Sequence, residues 1–371
     1  MASDLEIKSQ EDPETYGRLT TVKRRGVSFA FPNVAILPPP QSLENQEQLK
    51  VFNSGIFERY RKIGEDDFSG LKKVDKTGFY QKLRFSTRKV NGESTFNMLL
   101  FELSFFPNDI NALTDSIYAT RTDVIISPAF NKKLILLEKS QNFTTKYLEF
   151  LDKFVASAKF RNKREMGISI PITNTTREDF EKILQRLKKH EIRFVIADFQ
   201  GTGPFHETRV EKMHMLNRQL DDQFRDNYFI YGVNIRHPSH GTGILKLIPA
   251  EEMFSVGLGI DGLGNNHVPN YNPDAVKIDI KKMSPSRDLK IFNQDTYLYD
   301  LKQQKALENT YAGLMSCASP LNKQNFVNTY TKLKEETRVR KVLAENTGLG
   351  TYLTGKKGYS TRYTLKRQRK S

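Results

Sequence analysis

Residues 166–198 read MGISIPITNTTREDFEKILQRLKKHEIRFVIAD, and this stretch decides the fold class. Its first part, 166–172, is an apolar run that is typical of a buried strand. A helix is predicted next, because Thr175 and Glu178 have the spacing of a capping box. The apolar run 192–198 predicts a second strand. Strand, helix and strand in this order indicate two parallel strands that are joined by a crossover helix.

The same rhythm continues in both directions along the chain. Short apolar runs at 123–129 and 228–235 predict further strands, and residues 142–159 and 207–224 predict helices. A strand–helix unit repeated over this length favours an α/β fold, a TIM-like (β/α)8 barrel or an incomplete barrel. A doubly wound open sheet is the alternative, but no Gly-x-Gly-x-x-Gly motif opens a helix after a predicted strand.

Composition divides the chain into four regions. The first is polar and ends in Pro38-Pro39-Pro40, which is typical of an arm or linker. The second contains Asn91-Gly92, a strong signal for a tight turn between two strands. The predicted organisation is a partly disordered arm (1–50), an N-terminal β-containing extension with a hairpin that could join the barrel (51–118), a barrel-like domain with C-terminal helices (119–346) and a basic tail (347–371).

The charge of the chain is concentrated near its end. The 371 residues include 58 Lys and Arg against 43 Asp and Glu, a formal net charge of +15, and residues 356–371 contain no acid. Cations interleaved with aromatic rings suit phosphate neutralisation and base stacking, although a solvated terminus explains the same composition. The predicted nucleic-acid-binding residues are Lys356, Lys357, Tyr359, Arg362, Tyr363, Lys366, Arg367, Arg369 and Lys370.

Several classes of protein are excluded or disfavoured. Cys317 is the single cysteine, so a disulfide within the chain and a cysteine-based zinc ribbon are both ruled out. No apolar stretch approaches the ~18 residues of a membrane span, and the acidic start does not resemble a secretory signal. His237 and His240 are separated by Pro238, which weakens a metal site. We therefore expect a cytoplasmic protein, without metal, cofactor or membrane partner, that could form a homo-oligomer.

Candidate functional groups follow from the predicted barrel, in which they lie at the carboxyl ends of the strands. Asp198 follows a buried strand, and Asp261 lies in the glycine-rich run Gly257–Gly264. Each carboxylate suits general base catalysis or ligand orientation, although a helix cap or a tight loop explains each as well. We predict that Asp198 and Asp261 are catalytic and converge on one mouth, where the substrate-binding residues would be Gln200, Gly201, Asn234, Arg236, His237 and Asn265.

Three short motifs resemble the tRNA-guanine transglycosylase family. They are Ile230-Tyr-Gly-Val, Gly257-Leu-Gly-Ile-Asp-Gly-Leu-Gly and Lys334-Glu-Glu-Thr-Arg-Val-Arg-Lys-Val-Leu. The resemblance covers about half of the chain. It implies a TIM-like barrel that exchanges a guanine base in tRNA, or in some relatives DNA, through a covalent Asp–ribose intermediate.

Two departures from that family bear on activity. The first Asp of its Asp-x-Phe-Asp motif corresponds to Asp261, but the second, the nucleophile, falls on Gly264. The family's Cys-x-Cys-x-x-Cys zinc cluster is missing, since Cys317 stands alone. The resemblance thus implies a divergent member that binds nucleic acid without exchanging bases, or that uses a different carboxylate.

Three classes of function remain open on the sequence, which does not decide whether the protein is an enzyme. The first is a transglycosylase-like barrel that binds tRNA or DNA and could modify a base in it. The second is a (β/α)8 enzyme acting on a small anionic substrate. The third is a non-catalytic accessory or nucleoprotein component, in which the N-terminal residues and the basic tail would carry the interactions.

Overall fold

A computed structural model of the protein describes residues 5–24, 26–36, 55–69, 95–120, 122–138, 140–161, 164–236, 248–268, 288–312, 323–360, 363 and 365. The strands in these ranges are β1 (Leu5–Glu11), β2 (Arg18–Arg24), β3 (Val27–Phe31), β4 (Asn33–Ile36), β5 (Gly55–Ile63), β6 (Thr95–Leu103), β7 (Val124–Ile126), β8 (Ala129–Phe130), β9 (Glu165–Pro171), β10 (Phe194–Thr202), β11 (Phe229–Ile235), β12 (Ile248–Pro249), β13 (Gly262–Leu263), β14 (Asp288–Asn293) and β15 (Leu298–Gln303).

Along the chain, most of the helices connect strands of a central sheet. They are α1 (Glu65–Ser69), α2 (Ile110–Ala119), α3 (Lys132–Leu137), α4 (Ser140–Phe160), α5 (Arg177–His190), α6 (Glu207–Phe224), α7 (Glu251–Phe254) with the 3₁₀ turn Ser255–Leu258, α8 (Gln304–Thr310), α9 (Lys323–Ala344) and α10 (Leu349–Thr354). No helix in the described ranges has the length and apolar character needed to cross a bilayer.

The central sheet has nine parallel strands in the order β7-β9-β10-β11-β13-β4-β5-β6-β8. Its two end strands, β7 and β8, are separated along the chain by Ser127 and Pro128 alone. Because β7 pairs with β9 while β8 pairs with β6, the sheet curls until both of its ends meet in this one stretch. The expected barrel rhythm is confirmed as a curled parallel α/β sheet of the (β/α)-barrel type.

The inside of the curled sheet is filled by large side chains from alternate strand positions. Phe194 and Phe229 stack at 4.8 Å between ring centroids, and Phe96 contacts the same layer. A Cβ atom at Gly262 would lie 2.6 Å from Cδ2 of Tyr231, so only glycine leaves room for the aromatic residues here. The result is a packed interior rather than a channel.

The outer layer is formed by amphipathic helices. In α5 the residues Phe180, Ile183, Leu184 and Leu187 are buried against the sheet, as the sequence predicted. The cap differs by one residue from the expected capping box, because the hydroxyl of Thr176, not Thr175, accepts the N–H of Asp179 at 3.1 Å.

The polar, partly disordered arm predicted for residues 1–50 contains four strands in its described part. β1, β2 and β3 form an antiparallel sheet that lies against the amino ends of the barrel strands. Its contacts are with residues that immediately precede a barrel strand: Arg18 pairs with Asp261, Arg24 pairs with Asp123, and the carbonyl of Leu5 accepts Arg193 Nη2 at 2.8 Å. Polar side chains on the outer face of this sheet give the segment its unstructured composition.

The region predicted as an extension, 51–118, contributes two strands to the central sheet. β5 and β6 pair in parallel from Gly55 opposite Thr95 to Ile63 opposite Leu103. The predicted turn at Asn91-Gly92 lies outside the described residues. A parallel partner for β6 nevertheless places this region within the sheet rather than beside it.

The predicted basic tail, 347–371, is in its described part an integral piece of the fold. It begins with α10, after which Lys356, Tyr363 and Leu365 are all buried. Tyr363 packs against Phe254 at 5.2 Å between ring centroids. The cationic composition of the segment did not indicate that Tyr363 and Leu365 are part of the core.

Candidate functional site

Side chains from five strands meet at the carboxyl end of the curled sheet. Asp198 lies on β10 and Asn234 on β11, Glu102 lies on β6, and His267 follows β13. Glu58 and Tyr60 reach the same place from β5. We call Glu58, Tyr60, Glu102, Asp198, Asn234 and His267 the mouth cluster, because they lie at the end of the sheet where parallel barrels carry their active sites.

Asp198 is the centre of the mouth cluster. Its Oδ1 accepts the N–H of Gln200 and Nδ2 of Asn234, both at 2.9 Å. Burial raises the pKa of Asp198 to about 7, against the lowering effect of these two hydrogen bonds, and the charge of Glu102 raises it further. A carboxyl group that titrates near neutral pH suits general acid–base catalysis.

Tyr60 and Asn234 connect Asp198 to a second carboxylate. The Tyr60 hydroxyl donates to Glu102, and Asn234 Nδ2 lies 3.4 Å from the same hydroxyl oxygen. Burial and the neighbouring carboxylates raise the pKa of Tyr60 far above its ordinary value, so the hydroxyl stays protonated. The cluster thus holds two acidic side chains in one hydrogen-bonded network.

The third carboxylate of the mouth cluster, Glu58, is buried behind His267. Glu58 Oε1 lies 2.5 Å from His267 Nε2, and the Tyr231 hydroxyl donates to Glu58 Oε2. The His267 ring stacks on Tyr60 at 4.1 Å with an interplanar angle of 9°. The backbone N–H of His267 donates to Asn234 Oδ1 at 2.9 Å, which ties this pair to Asp198.

The rim of the mouth contains unusual backbone conformations. Asn174, Gln200 and Asn234 all have positive φ angles, of 59°, 50° and 56°. Gln200 Oε1 accepts Asn174 Nδ2 at 2.8 Å and the Thr173 hydroxyl at 2.5 Å. Such conformations in non-glycine residues are uncommon and concentrate at functional sites.

Most of the predicted substrate-binding residues lie at this mouth. Asn234 belongs to the mouth cluster, and the N–H of Gln200 donates to Asp198. The backbone nitrogen and Nδ2 of Asn265 each lie 3.2 Å from Glu58 Oε1. Gly201 follows with a φ of 76°. Arg236 comes directly after β11 and is exposed, and His237 lies outside the described residues.

The structure does not bring Asp261 to the same place as Asp198. Asp261 precedes β13 and lies level with Ile230, whereas Asp198 is paired with Val233, about 10 Å further along at ~3.3 Å per residue. Asp261 accepts hydrogen bonds from Arg18, the Thr20 hydroxyl and the N–H of Ile230. The expectation of one shared mouth is therefore corrected: Asp261 joins the N-terminal sheet to the barrel.

The predicted nucleic-acid residues are divided by the structure. Lys356 is buried, its Nζ lies 3.2 Å from Glu335, and Tyr363 has no exposed surface. Tyr359 is half-buried, while Lys357 is exposed. A nucleic acid cannot reach Lys356 or Tyr363 in this arrangement, which corrects their prediction as contact residues. Arg362, Lys366, Arg367, Arg369 and Lys370 lie outside the described residues.

Sequence reasoning missed Glu58, Tyr60 and Glu102. Their segment, 51–118, was predicted to be an N-terminal extension, so its polar residues were not among the candidates for the barrel mouth. A usable signal exists in the run Leu99-Leu-Phe-Glu-Leu, where an acid interrupts an apolar strand.

No grouping of three or more His, Cys, Asp or Glu side chains in the described ranges is arranged to hold a metal ion. No known protein-family model matches the chain, and no curated protein shows significant sequence similarity to it.

Proposed function

We propose that this protein is a transglycosylase-like enzyme that acts on a base of a nucleic acid, tRNA or DNA, at the mouth cluster. The observation that carries the proposal is the convergence of three buried carboxylates, one of which titrates near pH 7. Breaking a glycosidic bond builds positive charge on the sugar and negative charge on the departing base. A carboxylate stabilises the first charge, and a proton donor neutralises the second.

The resemblance places a glycine where the transglycosylases have their nucleophile, and the surroundings of Gly264 bear on that departure. A Cβ atom at Gly264 would lie 2.5 Å from Glu58 Oε2. The space of the missing side chain is thus filled by a carboxylate from β5. This supports the use of a different carboxylate over a loss of activity.

The charge of the mouth also distinguishes between the candidate classes. Glu58, Glu102 and Asp198 are buried, whereas Lys62 and Arg236, at the ends of β5 and β11, are exposed. A small anionic substrate at this mouth would lie beside the carboxylates of Asp198 and Glu102, which argues against that class. Burying three acids is also costly without a function for them, which argues against a purely structural protein.

Base exchange is the direct test of the proposal. We expect the purified full-length protein to incorporate radiolabelled guanine into tRNA or DNA, measured as acid-precipitable counts over time. Retention of each nucleic acid on a filter at low salt gives the binding step separately. The proposal fails if neither nucleic acid is retained and no label is incorporated.

A pair of truncations separates binding from folding at the C-terminus. Removing residues 366–371 deletes four basic residues but keeps the buried Tyr363 and Leu365. We expect it to reduce the slope of log affinity against log salt by up to about 4, at ~0.9 for each phosphate contact, with an unchanged melting temperature.

The matched deletion of 356–371 removes the buried anchors as well. It should lower the melting temperature by several degrees, because three core residues are lost. If deleting 366–371 leaves the salt slope unchanged, these four basic residues do not contact nucleic acid. Equal melting temperatures in both variants would contradict the anchoring role of Lys356, Tyr363 and Leu365.

A further inference from the structure

We propose that His267 is a proton-transfer residue of the mouth cluster, and that Glu58 orients it from the space that Gly264 leaves open. The inference rests on the proposed function and names a catalytic group that the resemblance does not supply. It is carried by the contacts among Glu58, His267 and Asn234 and by the close packing around Gly264.

Glu58 is placed to hold an imidazole rather than to meet a substrate. It is fully buried, and both of its oxygens accept hydrogen bonds from inside the fold. Its Oε1 lies 2.5 Å from Nε2 of His267, whose side chain keeps 17% of its surface exposed. A buried carboxylate behind a partly exposed histidine is the arrangement that orients the base in Ser–His–Asp and Cys–His sites.

Gly264 makes this arrangement possible. A Cβ atom at this position would lie 2.5 Å from Glu58 Oε2 and 2.8 Å from Tyr231 Oη. Any side chain here would displace the carboxylate, because contacts this short do not occur between real atoms. The glycine that removes the family's nucleophile therefore also provides the room for Glu58.

The tautomer of His267 follows from its partner. Because a carboxylate oxygen accepts from Nε2–H, the neutral ring carries its proton on Nε2 and a lone pair on Nδ1. Nδ1 has no hydrogen bond to another described residue. Stacking on Tyr60 and the N–H bond to Asn234 hold the ring, and Asn234 also donates to Asp198. The side-chain amide of Asn234 thus bonds both residues, with its Oδ1 to the His267 backbone and its Nδ2 to Asp198.

This geometry makes Nδ1 of His267 the atom that donates and accepts the proton during base exchange. As the C1′–N bond breaks, its electron pair leaves with the base, which takes a proton from Nδ1 of protonated His267. The positive charge that develops at C1′ faces the carboxylate of Asp198. The incoming base then forms the new C1′–N bond with its own nitrogen electron pair and returns its ring proton to Nδ1. No oxidant or reductant is needed.

Three variants and one control test the assignment. We expect His267→Gln and Glu58→Ala to lower the rate of base exchange at least about 100-fold, without loss of nucleic-acid retention. The double variant Glu58→Ala/Gly264→Asp should recover much of that rate, because Asp at 264 returns a carboxylate to the same space. His206→Gln, on an exposed histidine, is the matched control and should leave the rate unchanged.

A measurement that does not depend on activity separates orientation from mere stability. In ¹⁵N NMR spectra of the ring nitrogens, His267 should be protonated on Nε2 in the wild-type protein. Glu58→Gln, which preserves volume, should mix the two tautomers because an amide can also donate. Glu58→Ala/Gly264→Asp should restore the single tautomer.

The outcomes distinguish this inference from the proposed function. If the wild-type protein exchanges bases and His267→Gln does so at the same rate, His267 is not the proton-transfer residue, while the function stands. If the wild-type protein exchanges no base, the function fails and the catalytic role of His267 with it. A wild-type His267 protonated on Nδ1 would overturn the orienting role of Glu58 in either case.

Discussion

Replacing Asp198 with Asn should strongly lower the rate of base exchange and, above neutral pH, stabilise the protein. Burial raises the pKa of this carboxyl from an ordinary 3.8 to about 7. Between roughly pH 4 and 7 the folded protein keeps a proton that the unfolded chain has lost. The stabilising contribution is therefore complete below pH 4 and is lost as the pH rises through 7, where a buried negative charge remains.

The size of both effects can be bounded. A raise of about 3 pKa units corresponds to at most about 4 kcal/mol at 1.36 kcal/mol per unit. The advantage of Asp198→Asn over the wild-type protein should thus grow from pH 4 to 7 and stay constant above. The exchange rate should fall by about 100- to 1,000-fold, as expected when a group that stabilises charge in the transition state is lost.

Urea unfolding at pH 5 and pH 8, together with the exchange assay, measures both effects. Asp226→Asn, on an exposed residue, is the matched control and should change neither stability nor rate. A stability difference that does not grow with pH would contradict the raised pKa. Full exchange activity in Asp198→Asn would remove Asp198 from the mechanism.

Replacing Arg18 with Met should cost about 3–5 kcal/mol of unfolding free energy, since it leaves the Asp261 carboxylate buried without its counter-charge. The Arg18 and Asp261 side chains are each 1% exposed. The guanidinium also lies 3.6 Å from the ring centroid of Tyr228 and donates to the Gly259 carbonyl at 3.3 Å.

A second substitution shows how much of that loss comes from the unpaired charge. Arg18→Met/Asp261→Asn removes both charges and should recover part of the stability. Lys8→Met, which breaks an exposed pair with Glu6, is the control and should change the denaturation midpoint little. If Arg18→Met unfolds at the wild-type urea concentration, the N-terminal sheet is not held by this ion pair.

The regular part of the barrel could be predicted from the sequence because its signals are local. Over 164–236 the helices bury an apolar face and the strands are buried along most of their length, as their sequence patterns predict. Asp198 was found for the same reason, since it stands near the end of a clear apolar strand. Periodicity and strand ends thus identify the half of the mouth that comes from β10 and β11.

The errors have physical causes that no local pattern reveals. We expected Asp261, like Asp198, at the carboxyl end of a strand, but Ser255–Leu258 form a 3₁₀ turn and β13 begins only at Gly262. Asp261 therefore precedes its strand and lies at the opposite end of the sheet. Glu58 could not be placed at the mouth because β5 joins the sheet by pairing with β4 and β6, which the composition of its own segment does not indicate.

The pairing of β4 with β13 has a consequence for how the protein is made. Val34 must find Leu263, which is synthesised about 230 residues later, or roughly 10–45 s at ~5–20 residues per second. Until then one edge of β4 lacks its partner strand, and Arg18 lacks Asp261. Unpaired strand edges favour aggregation. The central sheet is therefore most prone to aggregate during translation, after β4 has been synthesised and before β13 is available to pair with it.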